Sequence, residues 1–149
     1  MRMSKDEYYL LIAKAVSLRS TCLRRQYGAV IVKDDSIVST GYNGAYRGAE
    51  NCCDHGICKR EELGVAHGER YELCKSVHAE NNAIINAARH GASVLGSTLY
   101  LYGYDCIAKK TIDAAPCMMC ERVIKNAGIK DIVSSKEGVR HNVDEHVLS

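Results

Sequence analysis

The stretch His-Ala-Glu at residues 78–80 and the stretch Pro-Cys-Met-Met-Cys at residues 116–120 decide the fold of this chain. Together they supply one imidazole, two thiols and one carboxylate. A catalytic zinc site typically has three protein ligands and keeps a fourth position for water, whereas a structural site closes all four positions with Cys or His. His78, Cys117 and Cys120 are therefore candidate zinc ligands, and Glu80 is a candidate catalytic acid and base that does not bind the metal.

The spacing within each stretch predicts where two helices begin. Cys117 and Cys120 lie three positions apart, so they share one face of a helix that starts at Pro116. Residues two positions apart point in different directions on a helix, so His78 and Glu80 both reach the metal only if His78 lies at the irregular first turn. We therefore expect the N-termini of two helices to converge on the zinc, where their partial positive charge favours thiolate.

Hydrophobic spacing and helix-ending residues predict the other elements. Ser4 and Glu7 have the spacing of a capping box at the start of a helix that extends to about Leu18. The remaining predicted elements are a β-hairpin at 28–33 and 37–42, a helix at 78–90, a strand at 98–102, a helix at 116–126 and a strand at 129–134. The last strand, helix and strand imply a right-handed parallel crossover. We expect an α/β fold with three α/β/α layers and a mixed central sheet, whose first two strands are antiparallel and whose remainder is parallel.

The composition is that of one globular domain, which we expect to span residues 1–149. Hydrophobic residues make up 46% and charged residues 26%, and the formal net charge is only +2. Because no wide basic face is indicated, a small substrate is favoured over extended nucleic acid. The first 17 residues lack the unbroken apolar segment of a signal peptide or membrane span, so we expect no membrane association and a cytoplasmic protein.

The chain contains eight cysteines, of which only two belong to the second stretch. Such a number in a short chain can indicate a disulfide framework, but a Cys-x-x-Cys pair with a distant His favours metal binding in a reducing environment. Residues 43–75 have no sustained hydrophobic period, and so long a connection in a compact domain needs a stabilising contact or a function. Candidate ligands in or near it are Cys22, Cys52, Cys53, His55, Cys58, His67 and Cys74.

The order His-Ala-Glu followed by Pro-Cys-x-x-Cys resembles the cytidine and deoxycytidylate deaminase superfamily. Three further stretches are similar to its deoxycytidylate (dCMP) deaminase branch: Arg-Ser-Thr-Cys at 19–22, Gly-Ala-Val at 28–30 and Gly-Tyr-Asn-Gly at 41–44. The resemblance covers roughly residues 10–133. It implies the cytidine deaminase-like fold and zinc-dependent hydrolysis at C4 of a cytosine ring, most closely the conversion of dCMP to dUMP and ammonia.

The resemblance also implies roles for individual residues. Glu80 would take a proton from zinc-bound water, help to protonate N3 and deliver a proton to the departing amine. The Ala79 backbone N–H would bind O2 of the base, and Asn43 would contact the sugar or phosphate, although a turn residue that tolerates positive φ is an alternative for Asn43. Ala29 and Val30 would form an apolar wall beside the base.

The segment 103–115 is longer than the usual link before the Pro-Cys motif, and this link normally shapes the nucleotide pocket. By position alone, Tyr102 or Tyr104 is a candidate to stack on the base, and Lys109 or Lys110 a candidate to meet a phosphate. Arg24 and Arg25 are candidates for a phosphate or a neighbouring subunit, with solvated arginines as the alternative.

Some dCMP deaminases bind a second, structural zinc near the cysteine-rich segment. By resemblance, the favoured ligands here are Cys22, one of Cys52 or Cys53, Cys74 and a fourth residue of the loop, against ordinary reduced thiols. Members of the family are usually homo-oligomers, and the dCMP branch is often regulated by dCTP and dTTP.

Two other functions remain open at this point. A tRNA adenosine deaminase shares the zinc motifs but attacks C6 of adenine. A non-catalytic binding module stabilised by zinc would use the same fold, and Glu80 would then have no chemical role.

Overall fold

The computed structural model describes residues 1–65, 73–135 and 140–143. The helices are α1 (Lys5–Ser17), α2 (Cys52–His55), α3 (Lys59–Glu62), α4 (Ala79–Arg89) and α5 (Met118–Ala127). The strands are β1 (Arg25–Lys33), β2 (Ser36–Tyr42), β3 (Gly44–Ala45), β4 (Ser76–Val77), β5 (Thr98–Asp105), β6 (Lys110–Ile112), β7 (Asp131–Ser134) and β8 (Arg140–Asn142). Within these ranges, no helix has both the length and the apolar character needed to cross a membrane.

A mixed sheet with the order β2-β1-β5-β7-β8 forms the middle layer, and β6 pairs with the end of β5. The predicted three-layer α/β fold is confirmed. The expectation that every strand after the hairpin is parallel is wrong, because β5 is antiparallel to β1 and β8 is antiparallel to β7. Among the described strands, only β5 and β7 pair in parallel, as the crossover through α5 requires. β5 runs in the same direction as β2, but β1 lies between them.

The two faces of the sheet bury different side chains. Ala29 and Ile31 pack in a cluster with α4, whereas Val30 and Val32 pack in a second cluster with α1. This alternation is the two-residue period of a strand whose faces are both covered by helices. The sheet therefore separates the polar side chains on its α4 face from the residues on its α1 face.

Two segments for which the sequence predicted no helix or strand contain secondary structure. The link 103–115 continues β5 to Asp105 and turns back as β6. The segment 43–75 contains α2 and α3, and its ends are joined by the β3–β4 pair, in which Gly44 lies opposite Val77. His67, one of the candidate ligands, lies outside the described residues.

Candidate metal centre and active-site cavity

His78 and Cys117 each occupy the residue immediately before a helix. His78 is the N-cap of α4 with extended backbone angles (φ −66°, ψ 151°), and Cys117 is the N-cap of α5 (φ −70°, ψ 167°). The Cys120 backbone N–H donates to the Cys117 Sγ over 3.4 Å, so this thiol caps its own helix. The two helix N-termini converge as predicted, because His78 Nδ1 lies close to both sulfurs.

The distances between the three candidate ligands suit a tetrahedral zinc ion. His78 Nδ1 lies 3.1 Å from Cys120 Sγ and 3.7 Å from Cys117 Sγ, and all three ligand atoms lie within 4.8 Å of one another. Ligands about 2.0 to 2.3 Å from a tetrahedral Zn²⁺ are separated by roughly 3.6 Å. One imidazole and two thiols also match the donors that Zn²⁺ prefers, with a fourth position left for water.

Side-chain hydrogen bonds fix α4 against β2 and thereby position His78 and Glu80. Asn82 Nδ2 donates to the Tyr42 carbonyl over 2.8 Å, and Asn86 Nδ2 donates to the Thr40 carbonyl over 2.8 Å. Ser39 Oγ donates to the Ala83 carbonyl over 2.7 Å. α4 is thus held at several points along its length, which limits the freedom of its first turn.

Glu80 lies in the first turn of α4 with only 5% of its surface exposed, and its side chain lines a cavity. Burial raises the pKa of the Glu80 carboxyl above its usual value, against the opposing effects of its own backbone N–H, His78 and Cys120. Burial and then the charge of Glu80 raise the pKa of the Cys120 thiol. Since zinc binds Cys as thiolate, metal binding at this cluster releases protons.

The cavity has a volume of about 300 Å³ and extends from the candidate metal ligands to a group of arginines. Glu80 is the only carboxylate among the lining residues that belong to the described part of the chain. Its walls include Tyr27, Leu101 and Met119. The lining residues are Cys22, Arg24, Arg25, Tyr27, Asn43, Cys58, Arg60, Cys74, Ser76, His78, Glu80, Leu101, Ala115, Cys117 and Met119. A cavity of this size is at the lower end of the range for small-molecule sites.

Asn43 lines this cavity and also fixes its wall. Its Oδ1 accepts from the Tyr27 backbone N–H over 2.8 Å, and its Nδ2 donates to the Arg25 carbonyl over 2.8 Å. Asn43 is only 7% exposed, and it has no positive φ, so the alternative of a left-handed turn residue does not hold. Ala79, the first residue of α4, is fully buried.

Three aromatic or apolar candidates lie on the wrong side of the sheet for this cavity. Val30 belongs to the α1-side cluster while Ala29 faces α4, so the two cannot form one wall. Tyr102 belongs to the same α1-side cluster, and Tyr104 packs against it. Stacking of either tyrosine on a base at Glu80 is therefore excluded by the alternation of β5.

Lys109 and Lys110 do not line the cavity. Lys109 lies between β5 and β6 with a φ of 55°, and both side chains are exposed. The hairpin that these residues close extends the sheet instead of covering the metal centre.

Four of the other cysteines lie near one another. Burial raises the pKa of the Cys52 thiol, and the charges of Cys74, Cys22 and Cys58 add to this effect. Of the two adjacent candidates, Cys53 is exposed, with its Sγ 4.0 Å from an Asp54 oxygen, whereas Cys52 is buried. All eight cysteines fall in the described ranges and are free thiols, which rules out the disulfide framework.

Sequence reasoning gave no role to six residues that line the cavity, which are Tyr27, Arg60, Ser76, Leu101, Ala115 and Met119. Tyr27 lies two residues before Ala29 in β1, so both side chains lie on the same face of the strand. This two-residue period could have indicated Tyr27 from the sequence. Arg60 lies in the four-residue helix α3, within a segment that shows no hydrophobic period. Met119 lies between the two cysteines of the motif and was given no role.

A family model described as the cytidine and deoxycytidylate deaminase zinc-binding region matches residues 3–136. A deoxycytidylate deaminase of Mycobacterium phage D29 is 37% identical over 137 residues, which is 89% of this chain and 94% of that protein. A deoxycytidylate deaminase of Schizosaccharomyces pombe is 34% identical over 148 residues. That match covers 99% of this chain, which spans only 41% of the length of the yeast relative.

The solved structures include a close counterpart of the fold. The crystal structure of the dCMP deaminase from the cyanophage S-TIM5 in complex with dCMP and dUMP has a TM-score of 0.64 and 29% sequence identity. The match covers 88% of this chain and 82% of that chain. With the convergent His and Cys ligands and the buried Glu80, these similarities show that the chain belongs to the cytidine and deoxycytidylate deaminase family.

Proposed function

We propose that this chain catalyses the zinc-dependent hydrolytic deamination of dCMP to dUMP and ammonia in the cytoplasm. The observation that carries the proposal is the buried Glu80 carboxylate beside His78, Cys117 and Cys120, at one end of a cavity of about 300 Å³. The choice of dCMP among cytosine compounds is supported by the relatives and the solved structure whose names specify deoxycytidylate. The cytoplasm is supported by the eight free thiols, which suit a reducing compartment.

The reaction replaces the C4 amino group of cytosine with oxygen. His78, Cys117 and Cys120 would hold a Zn²⁺ ion, which would lower the pKa of a bound water to about 7 and so make a nucleophile available at neutral pH. Glu80 accepts a proton from the attacking water as the C4–O bond forms, and it gives a proton to N3. Glu80 then takes the second proton from the new C4 hydroxyl group and delivers it to the amine while the C4–N bond breaks and ammonia leaves.

Burial of Glu80 suits this exchange of protons. A carboxyl group whose pKa is raised from its usual value binds a proton more readily near neutral pH, as a group that alternates between base and acid must do. Its place in the first turn of α4 holds it beside His78 without making it a ligand. In the proposed complex, the C4 end of the base therefore points toward the start of α4.

The remaining contacts of the nucleotide come from elements around the start of α4. We place O2 of the base at the Ala79 backbone N–H and the sugar at Asn43. An amide side chain has two hydrogens and two acceptor lone pairs, so Asn43 can bind a ligand while it holds Tyr27 and Arg25. Of the predicted apolar wall, only Ala29 lies on the α4 face, while Leu101 and Met119 line the cavity itself.

Ammonia release from dCMP, CMP, cytidine, deoxycytidine and a tRNA anticodon stem tests the proposal. We expect dCMP to give the highest kcat/KM. Release from the tRNA stem alone would assign the chain to adenosine deamination, and release from none of the five would support a non-catalytic binding module. The cavity volume of about 300 Å³ favours a single nucleotide over a tRNA loop.

We further propose that Cys22, Cys52, Cys58 and Cys74 bind a structural zinc. Cys52 is 5% and Cys58 6% exposed, and they lie at the starts of α2 and α3. Cys22 precedes β1, and Cys74 precedes β4. In the described residues, the only group of three ligands within 4.8 Å is the one at His78, so zinc binding requires the four side chains to move closer together. Such a site would link α2 and α3 to the sheet.

A homo-oligomer regulated by dCTP and dTTP is proposed on the family resemblance. Support for a subunit contact comes from the start of α5, where Met118, Met119 and Val123 are 51%, 60% and 40% exposed. Light scattering of the zinc-loaded protein, with and without each nucleotide, measures the assembly and its response. A monomer unaffected by either nucleotide would contradict this part of the proposal.

A further inference from the structure

We infer that Arg24 and Arg60 form the subsite that binds the 5′-phosphate of the nucleotide, an inference that rests on the proposed nucleotide deamination. Both residues line the cavity that also contains Glu80 and the candidate metal ligands. The subsite therefore belongs to the same cavity as the reacting end of the base, and a single bound molecule can contact both.

Burial distinguishes these two arginines from the arginines on the surface. Arg60 is only 6% exposed, and the Arg24 side chain is 17% exposed. Removing a guanidinium from water is costly unless anions or hydrogen-bond acceptors surround it. A guanidinium has five N–H donors, so a buried arginine that lines a cavity can keep its contacts within the protein and still donate to an anionic ligand group.

Two different elements bring the arginines to this cavity. Arg24 precedes β1, whereas Arg60 belongs to α3. Arg24 Nε lies 3.5 Å from a carboxylate oxygen of Glu61, the residue that follows Arg60, and this contact links the two elements. α3 is thus positioned by a charge pair that leaves Arg60 against the cavity.

The charges of the lining residues point to an anion. Among the described residues that line the cavity, Arg24, Arg25 and Arg60 carry positive charge, and the one carboxylate, Glu80, belongs to the metal end. A guanidinium donates two parallel hydrogen bonds to a phosphate, so two arginines can neutralise a dianion with defined geometry. Ser76 Oγ also lines this cavity, and it is buried without a hydrogen-bond partner among the described residues, so it provides a further polar contact.

The thiol cluster offers a competing role for Arg60. Cys22, Cys58 and Cys74 line the same cavity, so the Arg60 charge could instead stabilise thiolates of the proposed structural zinc. The two roles predict different measurements. A phosphate ligand distinguishes a nucleotide from its nucleoside, whereas a thiolate partner affects both equally and changes the zinc content.

The test compares binding of dUMP and deoxyuridine by calorimetry to the zinc-loaded protein and its variants. We expect Arg24→Gln and Arg60→Met each to weaken dUMP binding by about 10- to 100-fold, the value of a lost charge-assisted hydrogen bond, and to leave deoxyuridine binding unchanged. Arg60→Lys should restore part of the dUMP affinity, since it keeps the charge without the bidentate geometry. Arg89→Gln, at the end of α4 and outside the cavity lining, is the matched control.

An equal loss of dUMP and deoxyuridine affinity, or no loss of either, would overturn the inference. A fall in zinc content of Arg60→Met with an unchanged dUMP-to-deoxyuridine ratio would assign Arg60 to the thiols and would also overturn it. Arg24→Gln decides the question if Arg60→Met does not fold. Binding of dUMP, the product, can be measured without turnover. A failure of dCMP deamination in the ammonia assay can therefore be distinguished from a failure of this phosphate subsite.

Discussion

Glu80 is buried, so its charged form has a high desolvation cost. It is 5% exposed, and burial raises its pKa from the usual value. A structural role would be served as well by an amide of the same shape, which carries no charge to desolvate. The proposed proton transfer would explain an ionisable group at this position.

Glu80→Gln should therefore keep its zinc and lose turnover. The amide preserves the shape of the side chain but cannot accept a proton, and the loss of such a general acid and base typically lowers kcat by about 10²- to 10⁴-fold. Zinc content by elemental analysis and ammonia release from dCMP measure the two outcomes. Glu7→Gln, in α1 on the opposite side of the sheet, is the control. Loss of zinc, or near-normal turnover, would contradict the role of Glu80.

Asp105 provides a prediction on pH dependence at a second residue. Its Oδ1 accepts from the backbone N–H of Ala108 over 3.0 Å and of Ile107 over 2.9 Å, at the turn between β5 and β6. The Ala108 N–H, followed by that of Ile107, lowers the pKa of Asp105 against the opposing effect of burial. A lowered pKa in the folded state contributes stability above the unfolded-state pKa, and this contribution is lost as pH falls through the folded-state pKa.

Asp105→Asn keeps the acceptor oxygen but removes the charge. We expect the variant to be less stable than the parent protein at neutral pH, and the difference to shrink as the pH falls through the lowered pKa of Asp105. Urea unfolding midpoints of both proteins, recorded from pH 7 downward, measure this difference in stability. A difference that is constant with pH would show that the charge of Asp105 contributes nothing to the turn.

At the scale of elements, the contact between α4 and β2 requires a glycine. A Cβ at Gly41 would overlap the Ala83 backbone nitrogen and lie 2.6 Å from the Ala79 carbonyl oxygen. α4 can lie this close to the strand only because residue 41 has no side chain, and its first turn holds Glu80. The position of Glu80 therefore depends on Gly41, which belongs to the sheet and not to the helix layer.

Gly41→Ala should lower both stability and activity. The new methyl group forces α4 away from β2, at a cost of about 1 to 3 kcal/mol, and displaces the first turn of the helix. Gly28→Ala is a matched control, since its Cβ would overlap the Ala13 carbonyl oxygen of α1 on the other face. We expect both variants to melt earlier, but only Gly41→Ala to lose activity per folded molecule. Equal activity losses would contradict this positioning of α4.

The elements that the sequence predicted are those with local signals. α4 and α5 have periodic apolar residues and clear starts, and the β1–β2 hairpin has its turn at Asp34 and Asp35, both with positive φ. The four-residue helices α2 and α3 have too few residues for a periodic signal and depend on tertiary contacts. β5 pairs with β1 across a long separation in the sequence. The hydrophobic pattern of either strand alone therefore could not determine whether the two strands run parallel or antiparallel.

At the scale of the whole molecule, the sheet decides which predicted residues can meet. The candidate metal ligands lie together as the sequence predicted, because helix starts and ligand chemistry are both readable from the sequence. Val30 was assigned to the site from the family resemblance and Tyr102 from its position in the chain, but both side chains pack in the cluster on the α1 side of the sheet. Arg60 reaches the cavity only through the fold of the irregular segment, and no spacing rule connects it to Glu80.

The proposed second metal site would be a property of the whole molecule, since its proposed ligands lie far apart in the sequence. If Cys22, Cys52, Cys58 and Cys74 bind zinc, elemental analysis should return about two zinc ions per chain, and binding should stabilise the fold. Cys52→Ser should reduce the content to about one and lower the melting temperature, because a buried ligand is lost while the His78 site is intact. Cys53→Ser changes the adjacent, exposed thiol and should leave both quantities unchanged. One zinc ion in the parent protein, or equal losses in the two variants, would show that these thiols are not a metal site, and the packing of α2 and α3 would then have to stabilise the segment without metal.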